Sequence, residues 1–165
     1  MPRWLRITVW SLGGLLFFVV LGVATMVVVG NTAGGRRLLE TEMLRRTGSV
    51  TADEVAAIAE LNARMAAMVD QPSTREWKRL NRELHFRMFR LSGLSHVVAE
   101  VSRLWDQTEP YRSVYSSQHD TRARIVAEHD ALITALARGA TEELIGHMDR
   151  HRGASERDVV SVLTR

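Results

Sequence analysis

The chain has 165 residues, about the size of one domain. It holds no cysteine, which excludes disulfides and thiolate metal sites and leaves His, carboxylate, amide or water to ligate any metal. The net charge of +3 is local: residues 1–39 carry Arg3, Arg6, Arg36 and Arg37 and no acid, leaving 18 basic and 19 acidic side chains in the rest (18 − 19 = −1), so the high pI comes without a basic stripe and no nucleic-acid face is expected.

The first element is apolar. Residues 7–35 contain no charged side chain, and Ile7 to Gly30 is almost wholly hydrophobic. At 1.5 Å per residue these two dozen residues reach about 36 Å, enough to cross a hydrocarbon core of roughly 30 Å with some tilt. Trp4 and Trp10 suit a membrane interface, and the Arg residues after the span favour a cytoplasmic C-terminal region. A transmembrane helix over 7–30 is therefore expected, tethering a cytoplasmic domain to the inner membrane. Two alternatives stand beside it: a packed helix of a larger soluble assembly, and a stretch outside the protein's proper reading frame. A signal peptide is disfavoured, because its apolar region is usually about 7–15 residues. Asn31 to Gly35 reads as a linker, so the domain division is 1–35 and 36–165.

From Arg36 onward the pattern is all-α, with no hairpin signals. A first helix covers about 36–46 and ends near Gly48. A capping box, Thr51-Ala-Asp-Glu54, opens a second that continues to about Asp70, with Val55, Ile58, Leu61, Met65 and Met68 on one stripe. Pro72 blocks it. Ser73-Thr-Arg-Glu76 reads as another capping box, opening a third helix that ends at Gly93. Ser95 reads as the cap of a fourth, which Pro110 breaks or kinks. The fifth covers about Asp120 to Arg138 and closes at Gly139. Thr141 opens the sixth, which runs to about Leu163 with a weak point expected at Gly153. The loops are short, so neighbouring helices should be antiparallel.

Polar residues sit inside three of the apolar stripes. In the third helix Asn81 and His85 share the face of Trp77, Leu80, Leu84 and Met88; they are four apart and stack on one side. In the fifth, His129 lies amid Ile125, Leu132, Ile133 and Leu136. In the sixth, His151 follows Met148 on the face of Leu144 and Ile145. A buried polar group without a partner costs about 1–3 kcal/mol. One metal at the bundle centre would satisfy all three imidazoles, with zinc, nickel, copper, iron or cobalt as the suitable ions. Each ligating His should then give its other ring proton to an outer acceptor. His147 leans to the edge of its stripe and reads as a flank residue; His96 and His119 read as surface.

These residues resemble a known family. Arg36-Arg-Leu-Leu-Glu40, Asn81-Arg-Glu-Leu-His85, Ser92-Gly93, Glu128-His129 and Met148-x-x-His151, in that order, are similar to the FCD domain, the C-terminal effector-binding domain of FadR-type regulators in the GntR family. The resemblance implies an antiparallel bundle of about six helices, a homodimer, and a divalent metal, zinc or nickel first, held by Asn81, His85, His129 and His151. It also implies a small organic acid as effector, bound with help from the metal and from Arg36. Two positions depart from the family pattern: Asn81 stands where an Asp is usual, and Leu94 where a polar Asn is. The winged helix-turn-helix that precedes such domains has no counterpart here, so direct nucleic-acid binding by this chain alone is not expected.

The expected function is therefore a metal-dependent carboxylate-sensing domain without its DNA reader. The first alternative is a membrane-tethered sensor acting through a partner. The second is a His-metal hydrolase, disfavoured because Glu83 and Asp130 lie off the stripes and Glu128 only beside one.

Overall fold

The computed structural model describes residues 33–71, 74–110 and 119–163. The chain divides into two units, residues 1–38 and 39–165. Among the described residues there are six α-helices and no strand: α1 Ala33–Arg45, α2 Ala52–Ala66, α3 Arg75–Arg90, α4 Ser95–Gln107, α5 His119–Ala137 and α6 Thr141–Leu163. No described helix is long and apolar enough to cross a membrane. The span expected over residues 7–30 lies outside the described residues.

The helix ends follow from local chemistry. Thr51 caps α2 as expected, its hydroxyl accepting from the Glu54 amide while the Glu54 carboxylate accepts from the Thr51 amide. α2 ends sooner than the apolar stripe suggests. Arg122 of α5 is buried, and its Nη1 donates to the carbonyls of Met68 (3.2 Å) and Gln71 (2.8 Å). That cation satisfies carbonyls of the turn after the helix, in the manner of a basic C-terminal cap.

Two expected caps are corrected. α3 begins at Arg75, so Thr74 is its N-cap and makes no side-chain cap bond. Glu76 pairs instead with Arg79 and Arg64, and Ser73 lies outside the described residues. Ser95 is the first residue of α4, not its cap; Leu94 takes the cap position without a side-chain bond. The Ser92 hydroxyl serves that corner, accepting from the Leu94 amide at 3.2 Å. Gly93 and Gly139 adopt φ +69° and +64°, the left-handed turns that close α3 and α5 at little cost only for glycine. α4 stops at Gln107, before Pro110, where the Thr108 hydroxyl donates to the carbonyls of Leu104 and Trp105. α6 is continuous through Gly153, so that glycine is no break.

α2 packs against α3 and α5, α5 against α6, and α3 against α4. The shared core contains Met43 and Leu44 of α1, Ile58 and Met65 of α2, Trp77, Leu80, Leu84 and Met88 of α3, Trp105 of α4, Leu132 of α5 and Met148 of α6. Each large apolar side chain fully buried in this way contributes about 1.5–3 kcal/mol. The expected stripes are thus the faces that meet, and the polar residues within them are carried inward.

Candidate metal centre

α3, α5 and α6 each bring one histidine to the same place. His85, His129 and His151 are 2%, 0% and 5% exposed. One ring nitrogen from each lies within 4.8 Å of the others. The ring centroids are 5.1 Å apart for His85 and His129, 5.1 Å for His85 and His151, and 5.0 Å for His129 and His151. On its outer side His85 packs against Trp105 at 5.1 Å and Phe89 at 6.1 Å, so an aromatic wall from α3 and α4 backs the cluster.

Two of the rings are held from behind. His129 Nδ1 lies 3.1 Å from Asn62 Oδ1. Asn62 is itself buried on α2, and its Nδ2 donates to Val126 O at 3.0 Å and to Asp130 Oδ1 at 2.7 Å. His151 Nδ1 lies 2.7 Å from Glu128 Oε2. The other Glu128 oxygen accepts from Arg124 Nη1 at 2.6 Å, and Arg124 also pairs with Asp158 of α6. In both cases Nδ1 faces an acceptor and Nε2 is left for the interior. His129 Nε2 is buried with no hydrogen-bond partner.

The electrostatics favour a neutral ring at His129. Burial, and secondarily the His151 ring, hold His129 well below the ordinary histidine value, because a buried charge is costly. For Glu128, burial pushes the carboxyl up, but the hydrogen bonds from His151 and Arg124 together outweigh it and leave the group below its ordinary value. It is therefore a carboxylate at neutral pH. A neutral imidazole whose far nitrogen is anchored to an acceptor is the usual state of a metal-ligating histidine.

Asn81 sits four residues before His85 on the same face of α3, and its Oδ1 is buried with no hydrogen-bond partner. Three clustered imidazole nitrogens suit a borderline divalent ion, and an orphaned amide oxygen is of a type that could add to such a set. Arg36 is half-buried in the first turns of α1 and belongs to the first unit of the chain. His147 is half-buried and near Arg150, whereas His96 and His119 are exposed, as the stripes indicated.

Asn62 and Glu128 are the residues that sequence reasoning missed. Asn62 lies four after Ile58 and three before Met65, on the same buried stripe, so it carries the same signal as His85: a polar residue inside an apolar face. Asp130 does lie off the apolar stripe of α5 and Glu128 beside it, but Glu128 meets His151 directly and Asp130 reaches His129 through Asn62.

Against models of known protein families, residues 35–154 match the FCD domain. No curated protein and no solved structure matches the chain.

Proposed function

Because the chain belongs to the FCD domain family, the C-terminal effector-binding domain of GntR/FadR-type regulators, we propose that residues 36–165 sense a small carboxylate with the help of a bound divalent metal. The family is regulatory and not enzymatic, and its domains bind small-molecule effectors. The metal, its ligands and the carboxylate are the finer reading. In that reading His85, His129, His151 and Asn81 hold zinc or nickel, and Arg36 contacts the effector.

One observation carries it: three buried histidines from three helices place a ring nitrogen each within 4.8 Å of one another, with two of the rings braced through Nδ1. Three buried imidazoles without a shared ligand would be a costly way to fill a core. A bound ion would supply a Lewis-acidic anchor for an anionic group. The chain's own part is to hold three rings in place, keep Nε2 of His129 bare, and exclude water with Trp105 and Phe89.

The test is metal content of the purified full-length chain, followed by removal with chelator. About one ion per chain is expected, and His85→Ala and His129→Ala should each abolish it. A wild-type chain that carries no metal, takes up none from added zinc or nickel, and melts at an unchanged temperature with chelator would leave a polar core cluster only.

The wider reading is a homodimeric, cytoplasmic effector domain that does not itself contact nucleic acid. The charge-free stretch Ile7–Gly30 favours a second reading, a sensor tethered to a membrane and acting through a partner. Fractionation decides it: recovery of the full-length chain in the soluble fraction without detergent would eliminate the tether.

A further inference from the structure

We infer that Asn62, on a helix that contributes none of the clustered histidines, is a positioning residue that locks His129 into the tautomer with its proton on Nδ1 and its lone pair on Nε2. This rests on the reading of the cluster as a metal site for its consequence, but not for its first measurement.

Donors and acceptors around Asn62 can be counted. A primary amide has one acceptor oxygen and an NH2 group with two hydrogens. In Asn62 both hydrogens are committed, to Val126 O at 3.0 Å and to Asp130 Oδ1 at 2.7 Å. Both of those partners can only accept: one is a backbone carbonyl, the other a carboxylate. Turning the amide over would set its oxygen against two acceptors, so the partners decide its orientation.

Only Oδ1 therefore faces the ring, 3.1 Å from His129 Nδ1, and Oδ1 can only accept. The proton must sit on Nδ1. Because His129 is fully buried, no water competes for that proton. Nε2 is then a bare lone pair, and it is the atom that is buried with no hydrogen-bond partner. Asp130 aims Asn62, Asn62 aims His129, and the chain α5–α2–α5 closes within the bundle.

His151 is braced differently. Its Nδ1 faces the carboxylate of Glu128 at 2.7 Å, which accepts a proton from either a neutral or a charged ring. Asn62 instead offers a neutral acceptor that cannot take the ring's proton away.

The experiment uses the full-length chain with 15N-labelled histidine. In the metal-free protein, long-range 1H–15N correlation should show His129 with a protonated Nδ1 and an unprotonated Nε2. Asn62→Leu removes the acceptor at nearly constant volume. It should abolish that preference and weaken zinc binding about 10- to 100-fold, the usual effect of losing an outer partner of a ligating histidine. Asp130→Asn leaves an acceptor for the Asn62 amide and should preserve both the tautomer and the zinc affinity. A wild-type His129 protonated on Nε2 overturns the inference, even if Asn62→Leu does not fold. So does an Asn62→Leu chain that keeps the Nδ1 proton or the wild-type zinc affinity. A wild-type chain with the Nδ1 proton that binds no zinc supports the tautomer lock and overturns the metal reading instead.

Discussion

Glu128 touches both a candidate ligand and a cation: one oxygen accepts from His151 Nδ1 at 2.7 Å and the other from Arg124 at 2.6 Å. Arg124 continues to Asp158 of α6. The carboxylate therefore raises the electron density of the His151 ring while its own charge is balanced by a neighbour. Glu128→Gln keeps the shape and an acceptor oxygen but removes the charge. Zinc affinity should fall about 10-fold, toward the lower end of what an outer partner contributes, with the helix content unchanged by circular dichroism. Equal affinity in competition titrations against a zinc chelator would show that the carboxylate is only packing. The pair His85 and Asn81, and the positions of His129 and His151, were legible from the spacing of apolar residues, since a helix repeats its face every three to four residues. Buried charged residues were not. Glu40 and Arg152 are 2% and 7% exposed, and they find each other across 112 positions of sequence. No local period encodes a partner at that distance.

That pair matters at the scale of elements, because it ties α1 to α6. Arg152 Nη1 lies 2.5 Å from Glu40 Oε2, and Nη2 pairs with Asp149 one turn earlier on α6. Removing one partner of a buried pair strands the other charge, at a cost of about 3–5 kcal/mol, whereas replacing both with apolar groups is often neutral. Arg152→Met should therefore be strongly destabilising in urea titrations, and the double variant Glu40→Leu/Arg152→Met should recover most of the loss. A double variant no better than the single would mean that the salt link adds nothing beyond packing volume. The entry of α2 gives a pH prediction. Hydrogen bonds from the Thr51 backbone and then its hydroxyl hold the Glu54 carboxyl below its ordinary value of 4.5. A depressed carboxyl stabilises the fold above its unfolded value and loses that contribution as pH falls through its folded value. The gap in melting temperature between wild type and Glu54→Ala should thus be full at pH 7 and close as pH falls below about 4.5. A gap that stays constant down to pH 3 would exclude the ionised capping box as its origin. The cap at Thr51 was readable because both halves lie within four residues. The start of α3 was not: Ser-Thr-Arg-Glu at 73–76 fits the same capping pattern, but Glu76 pairs with Arg79 and Arg64.

For the second unit as a whole, the cluster is a junction. Its histidines come from α3, α5 and α6, α4 supplies Trp105 at the back of His85, and α2 joins through Asn62. An ion bound there contacts or braces five of the six helices at one point, so it cannot remain bound while any of α3, α5 or α6 leaves. Binding to the folded state alone stabilises it by mass action, about 2.7 kcal/mol when free ligand is 100 times its dissociation constant. For a chain of this size 1 kcal/mol moves the melting temperature by about 3 °C, so saturating zinc should raise it by on the order of 8 °C. The shift should keep growing with the logarithm of zinc concentration, disappear with chelator, and be absent in His85→Ala. It should also move the whole transition, because the ligands are spread over the core and not confined to one hairpin. A zinc-dependent rise that survives in His85→Ala would place the ion elsewhere. A transition that splits in two, with only part of the helical signal shifting, would mean that α3, α5 and α6 do not unfold as one body and that the cluster bridges separately stable pieces.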